Sequence, residues 1–418
     1  MRSLPDWYER RRRKALELYG AGRPAKYGPD LDLGSYELCD EGLGPLKGLE
    51  QLSEEELRAL REVGLRDDGF YRSGTYLQYD GSVAYLKLAR EVAPEGLVVE
   101  DLITAVRKYP WLRRYWFRAC SLNLDKYTAF VGAHETAGAF IWCREGVHVE
   151  YPIQACLFLG SKGAVQVPHN IIVLEPGSSL HVITGCVVSR ACSRAAHVAC
   201  TEIYVGEGAE LTWTMIHSWR PDTHVRPRMG ALVEGGGKLM VNYVLLSPVR
   251  SIQLYPTAVL LGRGARVGFR NLILALGRSI VDVGSAVIFN AEGSRGEIMS
   301  RALVKDQADV RLRGKLWGRK PGVRGHLECR ALILSDWAVA QAYPNLRSDV
   351  EDAELTHEAA IGRIAEEELF YLMSRGLDRD EAVALVSKGF LDTDIPGLPP
   401  GLLKEIKGIV EATVEHVL

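Results

Sequence analysis

The spacing of apolar and polar residues changes near residue 125, and helical patterns precede the change. The segments "LPDWYERRRRKALELYG" and "DLITAVRKYPWLRRYWF" have helical spacing, and the second is interrupted at Pro110. A capping box formed by Ser53 and Glu56 predicts the start of a further helix in "LSEEELRALREVGL". We therefore expect a helical and mixed N-terminal domain over residues 1–124.

Residues 125–362 have the pattern of continuous β-structure without intervening helices. Segments such as "SLHVITGC", "GGKLMVNYVLL" and "RVGFRNLILAL" alternate or run apolar between glycine-rich turns. The turns recur in steps of 31, 28, 28 and 29 residues, at Gly177, Gly208, Gly236, Gly264 and Gly293. Such a step indicates a solenoid in which each strand stacks in parallel on its equivalent one coil away. Left-handed hexapeptide repeats are absent from the sequence, so we predict a right-handed parallel β-helix.

The spacing becomes helical again over residues 363–418. One segment ends at Gly376, a second begins with a capping box of Asp378 and Glu381, and a third follows the prolines of "PGLPPGLLKEIKGIVEATVEHVL". These three short helices either cover one end of the solenoid or dock a partner. The predicted fold class is therefore mainly β, a β-helix flanked by α-helical domains at both ends.

Composition excludes several classes of function. Lys and Arg number 51 against 53 Asp and Glu, so the overall charge favours neither nucleic acid nor an anionic membrane as a partner. The sequence has no apolar run of the ~20 residues that a membrane span needs and no signal-peptide pattern, so we expect a cytoplasmic protein. Neither GxxxxGK[ST] nor GxGxxG occurs, which argues against an autonomous ATPase or a dehydrogenase.

The eight cysteines lack paired spacing, which predicts free thiols, and one of them lies near candidate metal ligands. Cys329 precedes His357 by 28 residues, so a coil of that length places the two at equivalent positions roughly 4.8 Å apart. Strand alternation turns Cys329 to one face and His326 and Glu328 to the other. Glu358 points away from His357 unless the strand ends there.

Thiolate and imidazole are both ligands for iron in iron-sulfur clusters. One thiol, one imidazole and one carboxylate are too few to enclose a four-iron cluster. Either a second chain adds ligands or the cluster is held loosely and passed on. Spacing alone also leaves open a purely structural arrangement, in which a buried Cys329 lies beneath a capping His357.

Three segments resemble the SufB/SufD family of iron-sulfur cluster assembly scaffolds. They are "GHLECRALILSD", "LTHEAAIGRIAEEELFYLMSRGL" with "EAVALVSKGF" after it, and "ITGC" followed by "AAHVACTEIYVGEGAELTWTMIHSW". The resemblance covers about residues 140 to 395 and is strongest to SufB-like and archaeal SmsB-like members, because Cys329 matches a scaffold cysteine that SufD members lack. Thr356 stands where the family has an acidic residue, and Ala338 replaces a second cysteine of many SufB chains.

The resemblance implies a non-enzymatic scaffold that builds a transient [4Fe-4S] cluster at the interface with a second SufB/SufD-family subunit. It implies Cys329, His357 and Glu358 as cluster or metal ligands. It also implies that sulfur from a donor enters at Cys186 and moves through the β-helix, and that the finished cluster passes to apo-proteins. The C-terminal helices would dock a SufC-type ABC ATPase. Whether a flavin binds in the complex does not follow from the sequence.

Several alternatives remain at this point. Cys192 and Cys200 are other candidates for the sulfur acceptor, whereas His197 is expected to be a core histidine. The chain is alternatively a SufD-like subunit that docks the ATPase without binding a cluster. A polysaccharide-active β-helix enzyme is a further alternative, although the acidic segments "DVEDAE" and "DTDIPG" lie at the end of the solenoid.

Overall fold

The computed structural model describes residues 4–39, 42–65, 72–89 and 92–391, together with the single positions Lys404 and Gly408. Its centre is a β-solenoid of about 8 turns over residues 140–362, with a few helices at either end. This confirms the predicted mainly β fold; the handedness of the solenoid and the domain boundaries after residues 124 and 362 stay predictions.

The N-terminal part is mixed, as expected. Its helices are α1 (Asp6–Gly20), α2 (Glu54–Glu62), α3 (Leu102–Lys108) and α4 (Lys126–His134), with 3₁₀ turns at Leu33–Ser35, Leu49–Gln51 and Pro110–Arg114. Its strands are β1 (Glu37–Leu38), β2 (Gly74–Tyr79), β3 (Ser82–Leu88) and β4 (Leu97–Asp101). The predicted capping box of Ser53 and Glu56 begins α2, and the helix before Pro110 ends at Lys108.

The solenoid contains twenty strands in chain order. They are β5 (Ala139–Cys143), β6 (Ile153–Leu159), β7 (Ala164–Gln166), β8 (His169–Leu174), β9 (Ser179–Val188), β10 (Ala196–His197), β11 (Cys200–Val205), β12 (Glu210–Ser218), β13 (His224–Val225), β14 (Arg228–Val233), β15 (Lys238–Leu245), β16 (Ser251–Leu254), β17 (Thr257–Leu260), β18 (Arg266–Ala275), β19 (Ile280–Phe289), β20 (Arg295–Val304), β21 (Asp309–Gly318), β22 (Val323–Ile333), β23 (Val339–Ser348) and β24 (Ala353–Gly362).

Stacking of these strands forms two long sheets. In the ten-stranded sheet, β6, β9, β12, β15, β18, β20, β22 and β24 lie side by side in parallel. In the other sheet, β16 and β17 of one coil both pair with the single long strand β19 of the next coil. The coils therefore have three faces at the N-terminal end and two at the C-terminal end. Alternate side chains point inward and form one continuous apolar core.

The recurring glycines mark the corners of the coils. All five have a positive φ, between 62° and 69°, a region that other residues rarely adopt. They are Gly177, Gly208, Gly236, Gly264 and Gly293. Each glycine lets the chain turn sharply between strands of the two sheets. Because few other residues adopt this φ, glycine recurs at these corners, and the repeat can be recognised in the sequence.

A buried charge cluster joins the N-terminal part to the solenoid. His169 on β8 contacts Glu135 through Nδ1 at 2.5 Å and Glu202 on β11 through Nε2 at 3.2 Å, and all three side chains are buried. Glu202 also accepts hydrogen bonds from the backbone N–H groups of Phe117 and Cys120. Burial opposes charging of the imidazole, but the two carboxylates outweigh it and raise the pKa of His169 to about 9.

Two helices follow the last strand, α5 (Glu366–Met373) and α6 (Arg379–Leu391). The predicted capping box is present, since Asp378 and Glu381 each accept the other's backbone N–H. The third predicted helix lies outside the described residues. Within the described part of the chain, no helix combines the length and the apolar character that crossing a membrane requires.

The raised pKa of His169 predicts that the free energy of unfolding falls with rising pH. A group with a raised folded-state pKa stabilises below its unfolded value of 6.5, and this stabilisation is lost as the pH rises through the folded value of about 9. Burial also raises the pKa of Glu135, which acts in the same direction. Urea titrations should show a loss of about 2 kcal/mol between pH 7.5 and 9.5 in the wild type relative to His169→Gln. The same pH dependence in both proteins would contradict this role.

Candidate functional site

Cys329 faces the interior of the solenoid. It lies on β22 between Ser300 of the preceding coil and Ala359 of the following coil, and its side chain is 1% exposed. Burial, and secondarily the charge of Glu328, raises the pKa of the Cys329 thiol to about 12. In this state the thiol is protonated and shielded from water, so it is not yet a ligand or a nucleophile.

His357 lies on the last coil and points inward above Leu327. The prediction that it occupies the position equivalent to Cys329 was wrong, because His357 pairs with Leu327, and Ala359 pairs with Cys329. This last step is 30 residues rather than 28. The two side chains share the inner face, and strand geometry separates their Cα atoms by roughly 8 Å. His357 is nonetheless exposed, since none of the described residues forms a further coil over β24.

Glu358 points to the opposite, outer face of the same sheet. There it lies opposite Glu328 and near His326, and one ligand atom from each of the three residues lies within 4.8 Å of the others. Arg330 bridges the two carboxylates, with Nη2 at 2.8 Å from Glu358 and 3.3 Å from Glu328. Among the described residues, this outer group has a composition that can hold a metal ion.

The structure thus places the predicted ligands on two faces. Cys329 and His357 share the inner face, whereas Glu358 belongs to the outer group with His326 and Glu328. The sequence prediction did not assign His326 or Glu328 to a site. The signal that reveals them is strand alternation combined with the true 30-residue step, which aligns Glu328 with Glu358.

Cys186, the predicted sulfur entry point, is an interior residue of β9. It lies between Leu157 and His217 of the neighbouring coils and is 2% exposed. Burial, and secondarily Cys156, raises the pKa of its thiol. The thiol lines a small cavity of about 20 Å³, together with Thr184 and His217. This volume is close to that of one water molecule.

Cys186 and Cys329 are five strand steps apart, roughly 24 Å along the solenoid axis, so they do not form one site. Polar atoms lie inside the core between them. One inward ladder contains, in order, Thr184, Met215, Tyr243, Asn271, Ser300 and Cys329. The amide of Asn271 donates to Ser300 at 2.9 Å, and the Tyr243 hydroxyl has no hydrogen-bond partner among the described residues. The interior therefore contains a row of polar side chains, the polar line, which runs from Tyr243 through Asn271 and Ser300 and leads to Cys329.

The other cysteines and histidines considered from the sequence are buried. Cys192 and Cys200 are inaccessible, and burial raises the pKa of both, that of Cys192 to about 11. His197 contacts Gln166 at 3.0 Å, and burial lowers its pKa to about 3. This agrees with a core histidine. All eight cysteines are free and buried, so exposure does not distinguish Cys186 as the acceptor of sulfur.

Both sheets end at the last coil with uncovered edges. In the described part of the chain, β23 pairs only with β21 and β24 only with β22. Trp337, between β22 and β23, is 79% exposed. The unpaired backbone N–H and C=O groups on these two adjacent edges can hydrogen-bond to a strand of another chain. They border His357, whose side chain is on the inner face of the last coil.

Comparison with known proteins shows which family the chain resembles. Residues 157–390 match the family described as SUF system FeS cluster assembly, SufBD core domain. An iron-sulfur cluster assembly SufBD family protein of Methanothermobacter thermautotrophicus is 39% identical over 398 residues, covering 94% of this chain and 96% of the relative. One from Archaeoglobus fulgidus is 40% identical over 359 residues, covering 86% and 95%. One from Staphylococcus saprophyticus is 27% identical, covering 99% and 91%. The chain therefore belongs to the SufBD family of iron-sulfur cluster assembly proteins.

Proposed function

We propose that the chain is a SufB-like scaffold subunit of a SUF-type complex, which receives sulfur and iron and builds a transient [4Fe-4S] cluster for transfer to apo-proteins. The observation that carries the proposal is the position of Cys329 inside the penultimate coil, with His357 on the same inner face at the uncovered end. A thiolate and an imidazole are both ligands for iron in such clusters. The role is assembly rather than catalysis, and the energy comes from the partner ATPase.

The remaining ligands come from a second SufB/SufD-family subunit. One thiol and one imidazole do not saturate a four-iron cluster, so a partner must face them. The free edges of β23 and β24 are the surface on which such a subunit would pair. A cluster shared between two chains is released when the chains separate, which suits a cargo rather than a resident cofactor.

Glu358 is a proposed ligand for incoming iron. With His326 and Glu328 it supplies oxygen and nitrogen atoms, which suit ferrous iron before sulfur is added. Arg330 neutralises the two carboxylates while no iron is bound. It is half-exposed, so its guanidinium can move into solvent as a cation enters.

Sulfur enters at Cys186 and reaches Cys329 through the core. The small cavity at Cys186 and the polar line through Tyr243 and Asn271 support this route. The outer sulfur of a Cys186 persulfide forms a new S–S bond with the Cys329 thiolate while its bond to Cys186 breaks, and Cys186 leaves as a thiolate, so both thiols must ionise. Because burial suppresses ionisation of both cysteines, transfer requires the solenoid to open.

The C-terminal helices connect the ATPase docking surface to the cluster site. Arg301 on β20 donates through Nη1 to the carbonyl of Phe390 on α6 at 3.0 Å. Its Nε lies 3.5 Å from the carboxylate of Glu328, which precedes Cys329 on β22. A SufC-type ATPase that moves α6 would therefore act on the strand that bears the cluster thiol.

A SufD-like role, docking the ATPase without binding a cluster, is the second candidate. It is favoured by the burial of Cys329 and by the rise of its pKa to about 12, which together make the thiol inert in the isolated chain. The two functions differ in whether Cys329 is required for cluster formation.

Removal of the Cys329 thiol should abolish cluster assembly. Anaerobic reconstitution with ferrous iron and sulfide, in the presence of the ATPase and the second subunit, should give cluster absorbance and a Mössbauer signal that fall at least about tenfold in Cys329→Ala. Cys143→Ala, which removes another buried free thiol, should retain the cluster. Equal cluster in Cys329→Ala and wild type would favour the SufD-like role.

Blocking the polar line should interrupt sulfur transfer. Asn271→Leu replaces the amide between Tyr243 and Ser300 with an apolar group, so radiolabelled sulfur loaded on Cys186 should accumulate there and reach Cys329 at least about tenfold more slowly. Asn242→Leu, on the outer face of the neighbouring strand, is the matched control. Unchanged labelling of Cys329 in Asn271→Leu would refute the interior route.

The exposed aromatic pair on α5 should anchor the ATPase. Phe370 and Tyr371 are 64% and 59% exposed, a large apolar surface for one short helix. The double variant Phe370→Ala/Tyr371→Ala should weaken binding of the ATPase at least about tenfold in titration calorimetry. Trp337→Ala, at the open end, should leave this binding unchanged and weaken the association with the second subunit. If Trp337→Ala weakened ATPase binding and the double variant weakened the association with the second subunit, the assignment of the two surfaces would be reversed.

A further inference from the structure

A groove of about 540 Å³ runs along the outer face of the ten-stranded sheet, near the beginnings of its strands. The C-terminal halves of these strands pack against α2 and α6, which leaves the N-terminal halves open. The volume is in the range of pockets that hold small molecules. Cys329 points to the other side of the sheet, whereas His326 of the outer group lines one end of the groove.

One wall of the groove is a ladder of basic residues at strand spacing. Residues at equivalent positions on six successive strands are, in order, Glu210, Lys238, Arg266, Arg295, Arg324 and Glu354. The neighbouring strands bring these basic side chains about 4.8 Å apart. Four adjacent like charges repel one another, so the arrangement costs free energy unless anions offset it.

The end members of the ladder are neutralised, but the two central arginines are not. Lys238 pairs with Glu210, and Arg324 pairs with Glu354 at 3.2 Å. The side chains of Arg266 and Arg295 are exposed and form neither a hydrogen bond nor an ion pair within the described part of the chain.

A third acid in the groove does not cancel these charges. Glu297 lines the floor but pairs with Arg270 on the neighbouring strand at 3.3 Å. The uncompensated charge is therefore that of two adjacent guanidinium groups. A phosphate monoester carries about −1.5 to −2 at pH 7, which matches them, and guanidinium groups bind phosphate oxygens in bidentate geometry.

The flanking acids limit the size of the anion. Glu210 and Glu354 close the two ends of the ladder and pair with Lys238 and Arg324, so a long polyanion such as a nucleic acid would have to displace both ion pairs. One phosphate group, held between Arg266 and Arg295, avoids both. The site therefore favours a compact dianion.

The floor beside Arg266 consists of Gly268 and Met240, whereas Glu297 lies beside Arg295. Gly268 lies two residues after Arg266 on the same outer face, and Met240 crosses it from the neighbouring strand. A Cβ at Gly268 would lie 2.6 Å from the Met240 methyl carbon and 2.8 Å from its sulfur, so the thioether fills the place of a side chain. A thioether makes favourable contacts with aromatic rings.

We propose that this groove binds a small organic phosphate monoester with a planar ring, of the size of a mononucleotide. Arg266 and Arg295 hold the phosphate, and the ring lies on Met240 over Gly268. The site extends beyond the proposed scaffold function and does not depend on it, because none of these residues belongs to either face of the cluster site.

Titration calorimetry with AMP, inorganic phosphate and adenosine tests the proposal on the full chain. AMP should bind saturably, phosphate more weakly, and adenosine hardly at all. Arg266→Gln/Arg295→Gln should weaken AMP binding at least about tenfold, whereas Arg278→Gln, an exposed arginine in a turn far from the groove, should not. Gly268→Leu should weaken AMP about fivefold or more and leave phosphate unchanged.

Three results would overturn the assignment. The first is an absence of saturable AMP binding, and the second is equal AMP affinity in the double arginine variant and wild type, with both folded by circular dichroism. The third is equal affinity for AMP and phosphate, which would show that the ring does not contribute to binding. Cluster reconstitution in the double variant should equal that of wild type, which separates failure of this site from failure of the scaffold function.

Discussion

Registered stacking of parallel strands is the constraint on which the rest of the structure depends. Because each strand hydrogen-bonds to its equivalent one coil away, residues about 28 to 31 positions apart in sequence form straight ladders. A side chain that faces inward on one coil continues to face inward on the next. The solenoid thus sorts its residues into interior ladders, among them the neighbouring ladders of Cys186 and Cys329, and outer surfaces that carry charge. The ladder that a residue occupies therefore determines whether its side chain can act in the interior or on the outer surface.

The same constraint explains what the sequence could predict. The corners at Gly177, Gly208 and Gly236 can be recognised in the sequence because their positive φ excludes most other residues. The spacing of these glycines predicted the repeat and the β-solenoid. Strand alternation likewise separated Cys329 from His326 and Glu328. The capping boxes at Ser53 and Asp378 were also correct, since such signals are local.

The alignment of the final coil was not predictable in the same way. An assumed step of 28 placed His357 beside Cys329, whereas two extra residues shift it to Leu327. Corner loops can gain residues without changing the strand pattern, so the register of one coil does not fix that of the next. The pairing of Glu328 with Glu358, and with it the outer group, depends on this shift. The buried charge cluster around His169 was also not predicted, because Glu135 and Glu202 lie far from His169 in the sequence.

Within the described residues the last coil is uncovered, and it combines the features that the proposed transient site needs. An interior thiol is kept protonated, an imidazole is exposed on the same inner face of the next coil, and two sheet edges offer a surface for a second chain. The most direct test is the position of iron in the anaerobically reconstituted complex, located by anomalous scattering at the iron absorption edge. Iron bonded to the Cys329 sulfur, with His357 among its nearest neighbours, is the expected result. Iron bound elsewhere, with Cys329 still buried and unligated, would contradict the account.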